Sequence, residues 1–134
     1  KDKQDVYMQK ISKLMEAWGS WVVNNNLYIN TLTINKRENV PIRVKLRKAC
    51  TDRQGIIVSV CMSKLLKNHK KDYELLVDYY VFGQTFIQLA QAHRCSDTYI
   101  GKKLKKAEGI VEGMLIMAEL IFIIEKNENS TLRS

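Results

Sequence analysis

Short polar side chains and lysines, spaced so that they share one side of a helix, carry the most specific chemistry in this sequence. They lie in the segment CSDTYIGKKLKK, residues 95–106. With its apolar positions turned inward, this helix presents Asp97, Thr98, Gly101, Lys102 and Lys105 to solvent, flanked by Lys103 and Lys106. Lysines neutralise phosphates, while short polar side chains can hydrogen-bond to base edges in the major groove. The pattern is typical of a helix that reads double-stranded DNA.

Two short helices around a tight corner are needed to position these side chains. Thr85 and Gln88 form a capping box that opens the first helix, which we expect to end near Ala92. Residues 93–95 make the corner, and Ser96 caps the second helix. The inward positions are predicted to be Phe86, Leu89, Ala90, Cys95, Ile100 and Leu104.

This spacing predicts a helix-turn-helix over about residues 85–106. Arg94 stands where such turns usually carry Gly. A plain helical corner with a solvated lysine face remains the alternative, since amphipathic helix pairs occur in many helical proteins.

The distribution of charge supports a polyanionic partner. The chain has 134 residues and a formal charge of +8. Between Lys36 and Lys106, 16 Lys/Arg against 6 Asp/Glu give +10, whereas the remainder has 6 against 8, or −2. Such a localised field attracts nucleic acid.

Part of this charge lies in a basic linker over residues 36–53. Its cations include a cluster of Arg43, Lys45, Arg47, Lys48 and Arg53, of which the first four are the candidate contacts. If the segment is extended, the first three share one side of the chain and could contact phosphates or RNA. A solvated basic linker is the equal alternative.

The remaining pattern is helical. We predict a first helix over about residues 4–23, with Trp18 and Trp21 as core anchors, and a second beginning at Thr51 with a capping box to Gln54. The second runs to about Lys67. Its predicted inner stripe is Ile57, Val60, Cys61 and Leu65.

Asp72 is expected to cap the next helix, which Gly83 ends. Its predicted core residues are Leu75, Leu76, Tyr79 and Tyr80. The helix that begins at Ser96 shows no stop before about Lys126. Its apolar second half suits a central post or an oligomer interface.

The predicted fold is therefore all-α. Residues 1–134 are expected to form one compact bundle of about five helices, with a long C-terminal helix and a frayed tail over residues 127–134. The chain does not begin with Met, so we expect its original start to lie outside this sequence.

No catalytic residue, metal site or cofactor is predicted. His69 and His93 lack partners at the spacing of a triad or metal cluster, and the three cysteines form no CxxC pair. We therefore expect a protein that is not an enzyme. The apolar stretch over residues 110–124 contains glutamates and is too short to span a bilayer. No basic amphipathic helix with an aromatic apolar face stands out, so no membrane partner is expected.

Segments of this sequence resemble two protein families. The segment ELLVDYYVFGQTFIQLAQAHRCSDTYIGKKLKKAEGIVE is similar to region 4 of bacterial σ factors. Over nearly the whole chain, ISKLMEAWGSWVVNNN, DYYVFGQTF and CSDTYIGKKLKKAEGIVEGML resemble the Q antitermination proteins of lambdoid phages, of the phage 21 type. The zinc-finger cysteines of the λ-type Q proteins are missing, so no metal is implied.

The resemblance implies a transcription antitermination factor in the host bacterial cytoplasm, associated with the nucleoid. Such proteins bind a DNA element near the late promoter and load onto paused, σ-containing host RNA polymerase. They then suppress pausing and termination, in the phage 21 type as an extension of the RNA-exit channel. Partners would be double-stranded DNA, the polymerase flap and exit channel, σ factor, nascent RNA and a second protomer on the DNA.

The resemblance also sets the candidate DNA contacts. At recognition-helix positions these are Ser96, Asp97, Thr98, Tyr99, Lys102, Lys103, Lys105 and Lys106, and we include Arg94 at the corner. The alternative function is a helix-turn-helix repressor or activator that acts only at its operator. A protein-interaction module with a vestigial helix-turn-helix is the third hypothesis.

Overall fold

The computed structural model describes residues 3–25 and 40–133, and within them the chain is all helical. This confirms the predicted fold class. The six described helices are α1 Lys3–Asn24, α2 Ile42–Leu46, α3 Asp52–Asn68, α4 Lys70–Tyr80, α5 Phe86–His93 and α6 Asp97–Arg133. The addition to the expected five is α2, which lies within the segment predicted as a basic linker. Residues 36–39 of that segment lie outside the described part of the chain.

The core lies where α1, α3, α4 and α6 meet, and α5 packs on α4 and α6. Trp18 and Trp21 are buried, as predicted, and each also has a polar partner on α3. The Trp18 indole N–H donates to Ser59 Oγ at 3.0 Å, and that of Trp21 donates to Asp52 Oδ1 at 2.9 Å. Each tryptophan therefore buries a large apolar surface without leaving its indole donor unpaired.

Two glycines permit close packing around α1. A Cβ on Gly19 would lie 2.1 Å from the carbonyl oxygen of Tyr80, so the backbones of α1 and α4 are in direct contact. A Cβ on Gly55 would lie 2.4 Å from the ring of Trp21. The contact at Gly19 sets how closely α4 approaches α1. The contact at Gly55 sets the rotation of α3 against α1.

The rotation of α3 differs from the predicted one. Cys61 and Leu65 are buried as expected, but Ile57 and Val60 are exposed, at 36% and 52%. Val58 and Met62 occupy the core instead. Because α3 has aliphatic residues on both faces, periodicity alone did not fix its inner side. The contact between Gly55 and Trp21 determines which side of α3 faces the core.

The basic segment is not extended over residues 42–46, which form α2, so the condition for a row of cations along one side is not met there. Val44 is fully buried, while the Ser20 hydroxyl donates to the Arg47 carbonyl at 2.7 Å. The Arg43 guanidinium donates to the carbonyl of Gly83. Gly83 has φ +63, and a Cβ there would also meet Pro41 at 2.9 Å. The segment is therefore docked on the helical body and is not a free linker.

The boundaries of α4 and α6 also differ from expectation. α4 begins at Lys70 with His69 at its N-cap, so Asp72 lies in the first turn and does not cap the helix. Its carboxylate is 3.8 Å from His69 Nδ1 and suits the positive helix end. α6 continues to Arg133, so residues 127–133 are helical where a frayed tail was expected. The sequence has no Gly or Pro after Gly113 to stop it.

Of the four predicted core residues of α4, Leu75, Leu76 and Tyr80 are buried and Tyr79 is half-buried. No helix in the described ranges combines the length and apolarity that crossing a membrane requires.

Candidate nucleic-acid interface

The first helix of the predicted helix-turn-helix, α5, begins with the expected capping box. The Thr85 hydroxyl accepts from the Gln88 amide at 3.1 Å, and the Gln88 side chain accepts from the Thr85 amide at 2.8 Å. Both bonds satisfy donors that a helix N-terminus leaves free. They fix the point at which the chain enters α5, which ends at His93, one residue after the predicted end.

The corner is made by one left-handed residue. Arg94 has φ 53 and ψ 49, a conformation that Gly adopts more readily than any other residue. The Cys95 amide donates to the Ala90 carbonyl at 3.0 Å, which closes the end of α5. The Ser96 hydroxyl then accepts from the Tyr99 amide at 3.2 Å, so Ser96 caps α6 as predicted.

Apolar contacts hold the two helices against the body. Leu89, Ala90, Ile100 and Leu104 are buried, in agreement with the sequence prediction, and Cys95 is half-buried. Phe86 departs from the prediction because 39% of it is exposed. Its ring lies 5.4 Å from that of Tyr79.

The first three turns of α6 present a polar and basic surface. We call Asp97, Thr98, Gly101, Lys102 and Lys105 the recognition face, because helical spacing places them on one side of α6. All but Gly101, which is half-buried, are exposed. The three-turn surface thus combines two short polar side chains with two lysines.

The other candidate DNA contacts surround this face. Arg94, Ser96, Tyr99 and Lys106 are exposed, and Lys103 is half-buried. The ammonium of Lys103 lies 4.9 Å from the centre of the Tyr99 ring, a cation–π distance. Tyr99 and Lys103 therefore form a pair on the flank of α6.

The basic segment does not form the row of cations that an extended chain would give. Arg43 and Lys45 are both exposed but stand two residues apart on a helix, so they do not face the same way. Arg47 is half-buried at the end of α2, and Lys48 is exposed after it. These four cations are spread around the segment, and Arg43 is bound to the Gly83 carbonyl.

Sequence reasoning missed a polar network that joins α6 to the body. Glu108 accepts from the Ser12 hydroxyl at 3.1 Å and from the Tyr80 hydroxyl at 2.5 Å. Burial, and then the bond to Glu108, raise the pKa of Tyr80 above its ordinary value. Because Glu108 lies one turn beyond Leu104, the network fixes the rotation of α6 and so the direction of the recognition face. Its partners are 96 and 28 residues from Glu108, and no local pattern marks them.

An open groove of about 400 Å³ runs beside the recognition face. Tyr79, Phe86, Lys102 and Lys105 line it, together with the Glu108 network. The groove gives the lysines a concave wall on the side where α6 faces α1 and α4, with Phe86 of α5 also lining it.

Metal-ligating residues are not grouped in the described part of the chain, where no cluster of three or more His, Cys, Asp or Glu occurs. All three cysteines are free, and burial raises the pKa of the Cys61 thiol. The geometry assembled here is that of a basic helix-turn-helix surface.

Comparison with known proteins places this geometry in a family. Residues 8–122 match the model of phage antitermination protein Q. The antitermination protein Q of Escherichia phage 933W is 44% identical over 112 residues, which cover 82% of this chain and 78% of that protein. The prophage antitermination protein Q homolog QuuD of Escherichia coli K12 is 41% identical over 127 residues, covering 91% and 100%.

Solved structures share the fold. The transcription antitermination factor Q21, as its selenomethionine derivative, superimposes with a TM-score of 0.69 at 20% identity, covering 94% of this chain and 97% of that one. Q21 in complex with Q21-binding-element DNA gives 0.64 at 16% identity, covering 95% and 97%. The family match over most of the chain confirms the resemblance read from the sequence, and the chain belongs to the phage antitermination protein Q family.

Proposed function

We propose that this protein is a transcription antitermination factor that binds a DNA element near a phage late promoter and loads onto host RNA polymerase paused with σ bound. It then suppresses pausing and termination, acting in the host cytoplasm as an extension of the RNA-exit channel. The observation that carries the proposal is the exposed recognition face on a complete helix-turn-helix. That Q21, of the same fold, has been solved with its binding-element DNA supports the proposal.

At the DNA, the side chains of the recognition face have different roles. Lys102 and Lys105 neutralise phosphates, with Lys103 and Lys106 beside them, and each contact releases counterions. Thr98 bonds a base edge or packs on a thymine methyl. Asp97 accepts from a cytosine amino group.

Further DNA contacts come from the residues around this face. Ser96 and Arg94 meet the backbone at the corner. Tyr99 supports Lys103 through the cation–π contact, which limits where that ammonium can reach the duplex.

The polymerase complex would use the remaining basic surface. Nascent RNA would contact the four cations of the basic segment, Arg43, Lys45, Arg47 and Lys48. Because they are spread around α2, each would contact a separate phosphate, and they would not form a continuous row. The σ-region-4-like core around the helix-turn-helix suits docking on the polymerase flap, and a second protomer occupies the same DNA element.

Terminator read-through in a purified system tests this proposal. The template carries the late promoter that lies beside this gene in its phage genome, followed by an intrinsic terminator far downstream. With host holoenzyme, we expect the protein to increase full-length transcript, and we expect deletion of the promoter-proximal element to abolish the increase. A template with an unrelated promoter serves as control.

Gel shifts with the same DNA separate the competing functions. Duplex binding without any read-through would make the protein an operator-bound repressor or activator and would refute antitermination. The absence of salt-dependent duplex affinity would leave only a protein-interaction module.

A further inference from the structure

We propose that the outward side of α3 docks an amphipathic helix of another protein, one whose apolar stripe is bordered by Asp and Glu. We call this surface the α3 outer face and define it by Ile56, Ile57, Val60, Lys64 and Lys67. The inference concerns a different surface from the recognition face and does not depend on the proposed function.

Three large aliphatic side chains of this face are exposed in the part of the chain that the structure describes. Ile56 is 58% exposed, Val60 52% and Ile57 36%. At 100° per residue they fall within one side of α3, opposite the buried residues Val58 and Met62. Exposed aliphatic residues grouped on one helix face, and not scattered singly, mark a contact surface.

Positive charge continues the same face toward the end of α3. Lys64 and Lys67 lie one and two turns after Val60, and both are exposed. The sequence has no Asp or Glu between residues 53 and 68. The preceding carboxylate, that of Asp52, is held by the Trp21 indole. The α3 outer face is therefore apolar at its centre and purely basic at its border.

The chemistry of this face selects among partners. β-branched aliphatic side chains offer nothing to phosphates, and the face has no aromatic ring on which a nucleobase could stack. A second copy of this chain would bring the same aliphatic and basic side chains to a symmetric contact, so residues 53–68 of that copy would supply no carboxylate for the lysines. A helix with an apolar stripe packs on the aliphatic residues and places carboxylates opposite the lysines.

Peptide binding to the full chain tests the proposal. The probes are two synthetic helical peptides with leucines at positions i, i+3, i+4 and i+7. Glutamates border the leucines in one peptide, and lysines replace them in the other. By fluorescence anisotropy, we expect the acidic peptide to bind at least tenfold more tightly than the basic one, with affinity that falls as salt rises.

Two double variants divide the contact into its apolar and charged parts. Ile56→Gln with Val60→Gln, and Lys64→Ala with Lys67→Ala, should each weaken acidic-peptide binding at least tenfold. Only the lysine pair should also flatten the salt dependence. All four side chains are exposed, so circular dichroism and thermal unfolding should match the unsubstituted protein.

Lys70→Ala with Lys71→Ala is the control with the same charge change, and its affinity for the acidic peptide should stay within twofold.

Several results would overturn the proposal. One is equal binding of both peptides, and another is undiminished binding by the Ile56, Val60 variant, which would mean a diffuse electrostatic attraction. A dimer seen by sedimentation that the same variant abolishes would assign the face to a second copy. Binding of RNA or anionic vesicles that both double variants abolish would assign it to those partners.

Discussion

Arg94 holds the corner of the helix-turn-helix in a conformation that disfavours every side chain with a Cβ. Its φ of 53 places Cβ close to the following carbonyl, at a cost of about 1–2 kcal/mol relative to the right-handed region. Gly avoids this strain. An arginine at this position keeps a cation at the edge of the recognition face at the expense of stability.

Comparison of Arg94→Gly with Arg94→Ala measures that strain. Both variants lose the charge, so they differ in backbone preference alone. We expect Arg94→Gly to have a free energy of unfolding about 1 kcal/mol higher than Arg94→Ala, by urea denaturation. Equal stabilities of the two variants would contradict a left-handed Arg94.

The environment of Tyr80 has a measurable effect on the free energy of unfolding. Tyr80→Phe removes a hydrogen bond to the Glu108 carboxylate and should lower the free energy of unfolding by about 2 kcal/mol at neutral pH. Tyr79→Phe keeps its ring contacts and is the control, with little change expected.

The raised pKa of Tyr80 gives this prediction a pH dependence. Because the folded state favours the neutral phenol, its stabilisation is complete below about pH 10, the ordinary value, and is lost as pH rises further. The unsubstituted protein should therefore lose stability more steeply above pH 10 than Tyr80→Phe does. Parallel losses in the two proteins would mean that Tyr80 is not buried against Glu108.

At the scale of elements, the predictable features are those fixed by neighbouring residues. The capping boxes at Thr51 and Thr85 need only a residue three positions ahead, and both are present. The corner and the buried side of the recognition helix follow from spacing within two turns. For the same reason, most of the helix-turn-helix could be predicted from the sequence.

Features fixed by distant residues could not be predicted. The rotation of α3 depends on the contact between Gly55 and Trp21, and the docking of α2 depends on Arg43 reaching Gly83. Neither pair has a local pattern. The α3 outer face emerged only once this rotation was known, because periodicity had assigned Ile57 and Val60 to the core.

Glycines within helices show the same division between local and tertiary effects. Gly109 and Gly113 on α6 are exposed, and a Cβ at either would have no neighbour within 4 Å among the described residues. Alanine at each position should raise the free energy of unfolding by roughly 1 kcal/mol through helix propensity alone. Gly19→Ala should instead destabilise the protein by about 1–3 kcal/mol or more, because its Cβ would meet the Tyr80 carbonyl at 2.1 Å.

Thermal and urea unfolding of the three alanine variants check this contrast. A loss of stability in Gly109→Ala or Gly113→Ala would show that α6 has a neighbour on that side. Unchanged stability in Gly19→Ala would contradict the direct contact between α1 and α4.

For the whole molecule, charge is divided between surfaces of different composition. Most of the cations that give +10 between Lys36 and Lys106 lie on or beside α2, α3, the start of α4 and the recognition face, and Lys36 and Arg37 lie outside the described residues. Phosphate binding needs exposed cations near polar groups, which the recognition face provides. The lysines on α3 border aliphatic residues, which suits a protein partner. Net charge alone would have assigned all of them to nucleic acid.

The salt dependence of DNA binding distinguishes local contacts from this general field. Each phosphate contact contributes about −0.9 to the slope of log K against log salt. Lys102→Ala with Lys105→Ala should therefore reduce the magnitude of the slope by about 1.8, measured by anisotropy with late-promoter DNA between about 50 and 200 mM salt. Lys70→Ala with Lys71→Ala removes the same charge at the opposite end of α4 from the corner, so it should change the affinity slightly and leave the slope nearly constant. Equal reductions by both pairs would mean that the duplex responds to net charge, and the recognition face would lose its assignment as the DNA contact.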